Sequence, residues 1–150
     1  MHGGTVREYS VADSFVGGKP AGGSSPAAGR RVLIADDNAD AAESLAMLLS
    51  LLGAAVRTAA DGLEAVAAAE EFRPDVAVLD IGMPRLDGNG AARRIRAEPW
   101  GRQVTLIALT GWGSDEDRRR TAEAGFDLHL TKPVDPATLG SLLAEVGRKK

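Results

Sequence analysis

Five side chains, scattered along the sequence, are of types that could act together on phosphorus: Asp36, Asp37, Asp80, Thr110 and Lys132. Each follows a short apolar run: RVLIA before Asp36 and Asp37, VAVL before Asp80, LIAL before Thr110, LHLT before Lys132. A carboxylate at the end of a buried strand needs its charge compensated. Three of them meeting at one place would repel, and some would hold protons unless a cation lay among them. Oxygen donors suit a hard cation, and Mg2+ is the natural one beside phosphate. The three aspartates would then be balanced in charge by Mg2+ and Lys132 together. A carboxylate held this way can attack phosphorus and form an acyl phosphate. Phosphoryl transfer depends on positioning and charge stabilisation more than on a separate base, which gives the Lys132 ammonium and the Thr110 hydroxyl their roles.

Those residues must be delivered by elements that end at a common edge. From Arg31 onward, apolar strand-like runs alternate with helical patterns. The runs are residues 31–35, 55–59, 75–80, 104–110 and 127–131. Between them, Leu45, Leu48, Leu49 and Leu52 recur at helical spacing, and Gly53 suits the end of that helix. Asp61 and Glu64 have the spacing of a capping box. Two glycines weaken the start of a third helix, whose buried side would be Ala91, Ala92 and Ile95, and Asp87-Gly88 before it reads as a turn. Ser114 and Gly125 bracket a fourth helix, and Asp135 and Pro136 open a fifth. Arg118, Arg119 and Arg120 read as the solvated face of the fourth helix, paired with nearby acids. Five apolar strands alternating with five helices predict an α/β fold: a doubly wound, five-stranded parallel sheet in a flavodoxin-like (βα)5 sandwich. Such folds place their sites at the carboxyl ends of the strands.

The bulk composition narrows the function. The chain has 150 residues, enough for one domain with a sizeable core, and no cysteine for disulfides or thiolate chemistry. A net charge of −3 gives no general drive toward nucleic acid or an anionic membrane. No apolar run is long enough to span a bilayer and no signal peptide is visible, so a cytoplasmic protein without membrane contact is expected. Residues 1–30 differ from the rest. GGKPAGGSSPAAG reads as a flexible linker, leaving residues 31–150 as the folded domain.

The segments VLIADDN, DVAVLDIGMPRLDG, LIALTGWG and GFDLHLTKPVD, in that order, resemble the receiver domain of two-component response regulators. The resemblance implies that Asp80 accepts a phosphoryl group from a phosphohistidine on a histidine kinase or histidine phosphotransfer domain. It implies Mg2+ held by Asp37 and Asp80, by Asp36 through water, and by the backbone carbonyl of Gly82. Thr110 and Lys132 would bind the phosphoryl group. Thr110 and the residue at position 129 would switch together on phosphorylation. That residue is usually aromatic and here is His129, whose side chain is polar. The face formed by the fourth helix, fifth strand and fifth helix would be the output surface, and a homodimer through it is one arrangement the resemblance allows. Because the sequence ends shortly after the fifth helix, a role in transcription would need a partner, and no direct contact with nucleic acid is expected. No enzymatic activity is expected beyond self-catalysed phosphoryl transfer and slow autodephosphorylation. Gly82 offers no side chain to orient a water, and Trp112 would shield the phosphoryl group.

Other readings are weaker. An aspartyl-nucleophile phosphatase would commonly carry a second Asp two residues after the first, where this chain has Gly82. A pure interaction module would not need the acidic pair, Asp80 and Lys132 together. A flavin or nucleotide binder would need a glycine-rich phosphate loop after the first strand, and none is present. At the start of the chain, HGGTV resembles the last glycine-rich box of the ATP-binding domain of sensor histidine kinases, which implies the receiver end of a hybrid histidine kinase. The alternative is a disordered leader on a stand-alone receiver.

Overall fold

Short runs of Val, Leu, Ile and Ala pair as one parallel sheet, and polar side chains cap the helices between them. The computed structural model describes residues 29–111 and 114–146. The elements in chain order are β1 (Arg31–Ala35), α1 (Ala39–Leu51), β2 (Ala55–Ala59), α2 (Gly62–Phe72), β3 (Val76–Asp80) and α3 (Gly88–Ala97). A 3₁₀ turn (Pro99–Gln103) follows, then β4 (Thr105–Thr110), α4 (Asp115–Ala124), β5 (Leu128–Thr131) and α5 (Pro136–Val146). The strand order is β2-β1-β3-β4-β5, and every pairing is parallel. This is the expected doubly wound α/β sandwich. The readings of residues 1–28, including the linker and HGGTV, lie outside the described residues, as do Trp112 and the basic end of the chain.

Alternation along the strands divides the core into two layers. On one face Val32, Ile34, Val76, Val78, Ile107 and Leu109 pack against Leu49 of α1 and Leu139, Leu142 and Leu143 of α5. On the other, Leu33, Ala77, Leu79, Leu106 and Ala108 meet α2, α3 and α4 through Ala65, Ala69, Ala91, Ala92, Ile95 and Ala124. The small alanines let these three helices lie close to the sheet. Burial of both faces explains why the central strands carry no polar alternation.

The caps follow the expected chemistry. Asn38 accepts from the Ala41 N–H, Asp61 from Glu64, Ser114 from Asp117 and Asp135 from Thr138. Glu64 completes its box by accepting from the Ala60 N–H. Gly53 and Gly125 take φ of 100° and 106°, the left-handed conformation that ends α1 and α4.

Three details differ. Asp75, Val104 and Asp127 precede their strands rather than begin them. Asp75 and Asp127 use their carboxylates to bind the Arg31 and Leu106 N–H groups. Asp87 is the N-cap of α3, accepting from the Gly90 N–H, rather than a plain turn residue. Leu48 is exposed, with Met47 and Leu51, while Leu49 is fully buried. The buried stripe of α1 is therefore narrower than the leucine spacing suggests.

Candidate functional site

At the carboxyl edge of the sheet, β1 ends just before Asp36 and Asp37, β3 ends at Asp80, β4 at Thr110 and β5 just before Lys132. The strand register brings them together. Asp80 lies opposite Leu109, and the Ile81 N–H donates to the Leu109 carbonyl (2.9 Å). Thr110 lies opposite Thr131, and the Lys132 N–H donates to the Thr110 carbonyl (2.8 Å). Ladder bonds thus continue one residue past the strands and fix the chain where the polar side chains begin.

Asp36, Asp80 and Thr110 are buried and Asp37 is exposed. Carboxylate oxygens of Asp36, Asp37 and Asp80 all lie within 4.8 Å of one another. The Lys132 ammonium donates to Asp80 Oδ2 at 2.8 Å and stands 3.6 Å from Asp36 Oδ2. Asp80 Oδ1 accepts from the Gly82 N–H at 3.1 Å, and Asp36 Oδ1 from the Asn38 N–H at 2.9 Å. The Lys132–Pro133 peptide is cis. Behind Asp80 the backbone of α3 comes so close that a Cβ on Gly88 would stand 2.5 Å from the Asp80 carbonyl oxygen.

The electrostatics show a shortage of positive charge. Burial pushes the Asp36 carboxyl above its ordinary pKa, and nearby Asp80 adds to the push against the opposing Asn38 N–H and Lys132. Burial alone would lower the Lys132 pKa, but the hydrogen bond and charge of Asp80, with Asp36, outweigh it and leave the ammonium above its ordinary value. One ammonium facing three clustered carboxylates fits a site that also takes a divalent cation. The donor set is all oxygen, as a hard cation requires.

A cavity of about 450 Å3 opens on this cluster, with Asp80, Thr110 and Lys132 in its wall. The structure therefore assembles all five of the expected side chains, with Gly82 beside them. His129 is fully buried in β5, opposite Ala108 of β4 and on the sheet face away from Leu128 and Leu130. The structure also brings in residues to which the sequence reading gave no site role. Asn89 of α3 and Asp117, Arg120 and Thr121 of α4 line the same cavity. Arg120 does pair with Glu116 at 2.8 Å, as a solvated helix face would. The signal for this rim was the α3–α4 packing, which no single motif spells out.

A sequence profile described as the response regulator receiver domain matches residues 32–144. The chain belongs to this family. Its solved relatives share the receiver's fold. The receiver domain of sensor histidine kinase PA1611 from Pseudomonas aeruginosa, crystallised with a magnesium ion in its active-site cleft, is 38% identical with a TM-score of 0.73. That match covers 80% of this chain and 99% of the other. Chemotaxis protein CheY4 of Vibrio cholerae is 32% identical with a TM-score of 0.74, covering 78% and 98%. Among curated proteins, transcriptional regulatory protein PrrA of Mycobacterium tuberculosis is 43% identical over 116 residues, 77% of this chain and 48% of its own length. This receiver thus spans about half the length of PrrA, and likewise of the ycf27 regulator of Guillardia theta. A 14.6 kDa protein of Leptolyngbya boryana is matched over 87% of its length at 37% identity. Among the described residues no helix is long and apolar enough to cross a membrane.

Proposed function

We propose that this response regulator receiver takes a phosphoryl group from a phosphohistidine onto Asp80, and that the modification changes its output surface. The observation that carries the reading is the single Lys132 ammonium bonded to Asp80 within a cluster of three carboxylates. Asp80 is the strand-end carboxylate with one oxygen on Lys132 and the other on a backbone N–H, so it is held in one orientation. Asp36, Asp37, Asp80 and the Gly82 carbonyl would hold Mg2+. Bound there, the ion would neutralise charge on the phosphoryl oxygens. Lys132 and Thr110 would bind those oxygens, the ammonium leaving its bond to Asp80 as the carboxylate becomes an acyl phosphate.

Repositioning of Thr110 would be read through β4 and β5. His129 lies one strand away and buried, and its rearrangement would alter the face of α4, β5 and α5. The donor would be a histidine kinase or histidine phosphotransfer domain. The chemistry is self-catalysed phosphoryl transfer with slow hydrolysis, rather than turnover of a diffusible substrate. Location in the cytoplasm and self-association through the output face belong to the same reading.

The test is incubation with a small phosphodonor such as acetyl phosphate and Mg2+, followed by intact-mass analysis. A gain of one phosphoryl group that is lost in Asp80→Asn and in EDTA supports the reading. No gain on the unmodified protein, or an equal gain on Asp80→Asn, ends it.

A further inference from the structure

The loop between β3 and α3 carries Gly82, and its backbone is strained. The Leu86 N–H donates to the Pro84 carbonyl at 2.7 Å and closes a tight turn across Arg85. Arg85 has φ of 70°, in the left-handed region that residues other than glycine disfavour. A residue held there costs free energy and persists only where its surroundings fix it. Gly82 supplies no such hold, because a Cβ built on it would meet nothing within 4 Å.

The hold comes from two helices. On one side is Gly62, the first residue of α2. A Cβ there would overlap the Leu86 carbonyl oxygen and stand 2.7 Å from Leu86 Cβ. On the other side is Gly90 of α3, where a Cβ would stand 2.5 Å from Leu86 Cδ1. Leu86 is thus seated between two glycines, with its side chain on the core layer that includes Met83 and Ala92. A second tie joins the same elements: Arg85 Nε lies 3.7 Å from Asp61 Oδ2, while Asp61 Oδ1 caps α2. The arginine of this pair is exposed, so the seat of Leu86 is the stronger tie. From Leu86 the path to the nucleophile is short. The Gly88 N–H donates to the Ile81 carbonyl at 3.0 Å, and a Cβ on Gly88 would stand 2.5 Å from the Asp80 carbonyl oxygen.

Resting on the phosphoacceptor reading above, we propose that Gly62 and Leu86 are positioning residues for Mg2+. The seat between α2 and α3 holds the strained turn, and with it the Gly82 carbonyl, in the place where that carbonyl serves the ion. Neither residue touches the ion. Without the seat, Arg85 would relax toward negative φ and carry the backbone on both sides with it.

The experiment measures Mg2+ affinity by calorimetry, with melting temperature and circular dichroism alongside, on the full chain. Gly62→Ala and Leu86→Ala are compared with the unmodified protein. Arg96→Lys, a change at the opposite end of the sheet, is the control for destabilisation alone. Both loop variants should bind Mg2+ about ten-fold more weakly or worse, the scale of losing a group that orients a metal ligand. Arg96→Lys should stay within about two-fold. Adding Arg85→Gly to Leu86→Ala should recover about three-fold or more, because glycine adopts positive φ without strain. If Gly62→Ala does not fold, Leu86→Ala and its double variant carry the test. Unchanged affinity in the folded loop variants overturns the proposal, as does an equal loss in Arg96→Lys. No recovery in the double variant overturns it too, since the strained turn is what the seat holds. Failure of the unmodified protein to bind Mg2+ at all overturns the underlying reading instead and is distinguishable from these results.

Discussion

The Lys132 ammonium stands 2.8 Å from Asp80 Oδ2 and 3.6 Å from Asp36 Oδ2, so one cation serves two buried carboxylates from different strands. Replacing it should expose the imbalance. In Lys132→Met, Asp80 Oδ2 loses its donor, a change that costs about 1–3 kcal/mol when the acceptor is buried. The loss should be partly restored by Mg2+, which can occupy the same field. Urea denaturation with and without Mg2+ checks this. Equal stability of Lys132→Met and the unmodified protein in EDTA would show that the pair adds nothing to the fold.

Asp36 gives the opposite sign. Its pKa is raised in the folded protein, first by burial, from an ordinary value of 3.8. The folded state therefore holds a proton that the unfolded chain releases, and stability falls as pH rises from 3.8 through the folded value. Above that window the ionised carboxylate is a net cost. Asp36→Asn should melt higher than the unmodified protein at neutral pH in EDTA. The advantage should shrink as pH falls toward 3.8. Added Mg2+ should stabilise the unmodified protein and leave Asp36→Asn nearly unmoved. Thermal melts at several pH values decide it, and a lower melting temperature for Asp36→Asn in neutral EDTA contradicts the sign.

Much of this was legible in the sequence because β3 and β4 are fully buried and β1 nearly so. An apolar run that stops at Asp36 or Asp80 marks both the strand and the edge where its site must lie. Parallel topology then forces those ends together, so Thr110 and Lys132 could be assigned to the same place from order alone. What escaped was lateral. Asn89 and Arg120 reach the cavity through the packing of α3 beside α4, and helical spacing does not say which neighbour a partly buried polar residue faces. Leu48 escaped for a similar reason: its spacing matches the buried stripe, but the edge of α1 carries it into solvent. Asp87 looked like a turn because Asp-Gly is common there. Its role as a cap depended on α3 starting at a glycine.

Glycine 88 tests how tightly α3 fixes the nucleophile. Alanine is ordinarily better than glycine within a helix by about 0.5–1 kcal/mol. At Gly88 the added carbon would stand 2.5 Å from the Asp80 carbonyl oxygen and 2.9 Å from Ile81 Cα, both backbone atoms that cannot swing aside. Gly88→Ala should therefore destabilise the domain and slow loading of Asp80. Gly140, inside α5, is the control, since its Cβ would meet only Leu52 Cδ1 at 3.4 Å. Gly140→Ala should be neutral or stabilising by up to about 1 kcal/mol. Denaturation curves for the two variants should move in opposite directions, and a shift of the same sign would remove the steric argument.

Arg96 separates stability from chemistry. Its guanidinium lies at the end of the sheet away from Asp80 and ties four segments together. It donates to the carbonyls of Gly101 (2.8 Å), Val104 (2.6 Å) and Gly125 (2.9 Å), and to the Asp127 carboxylate (2.7 Å). Asp127 in turn accepts from the Leu106 N–H, so the cluster anchors the starts of β4 and β5 and the end of α4. A lysine keeps the charge but lacks the planar fork, and at least two of these carbonyls would lose their donor. Arg96→Lys should cost about 1–3 kcal/mol, the range for leaving buried acceptors unpaired. Because the site residues are held by ladder bonds at the opposite edge, phosphoryl loading of the folded fraction should stay within about two-fold, as expected for distant, independent sites. Urea denaturation and loading kinetics on the same sample test both halves. A large loss of loading at unchanged stability would mean that Arg96 acts on the site through β4 and β5, and the separation argued here would be wrong.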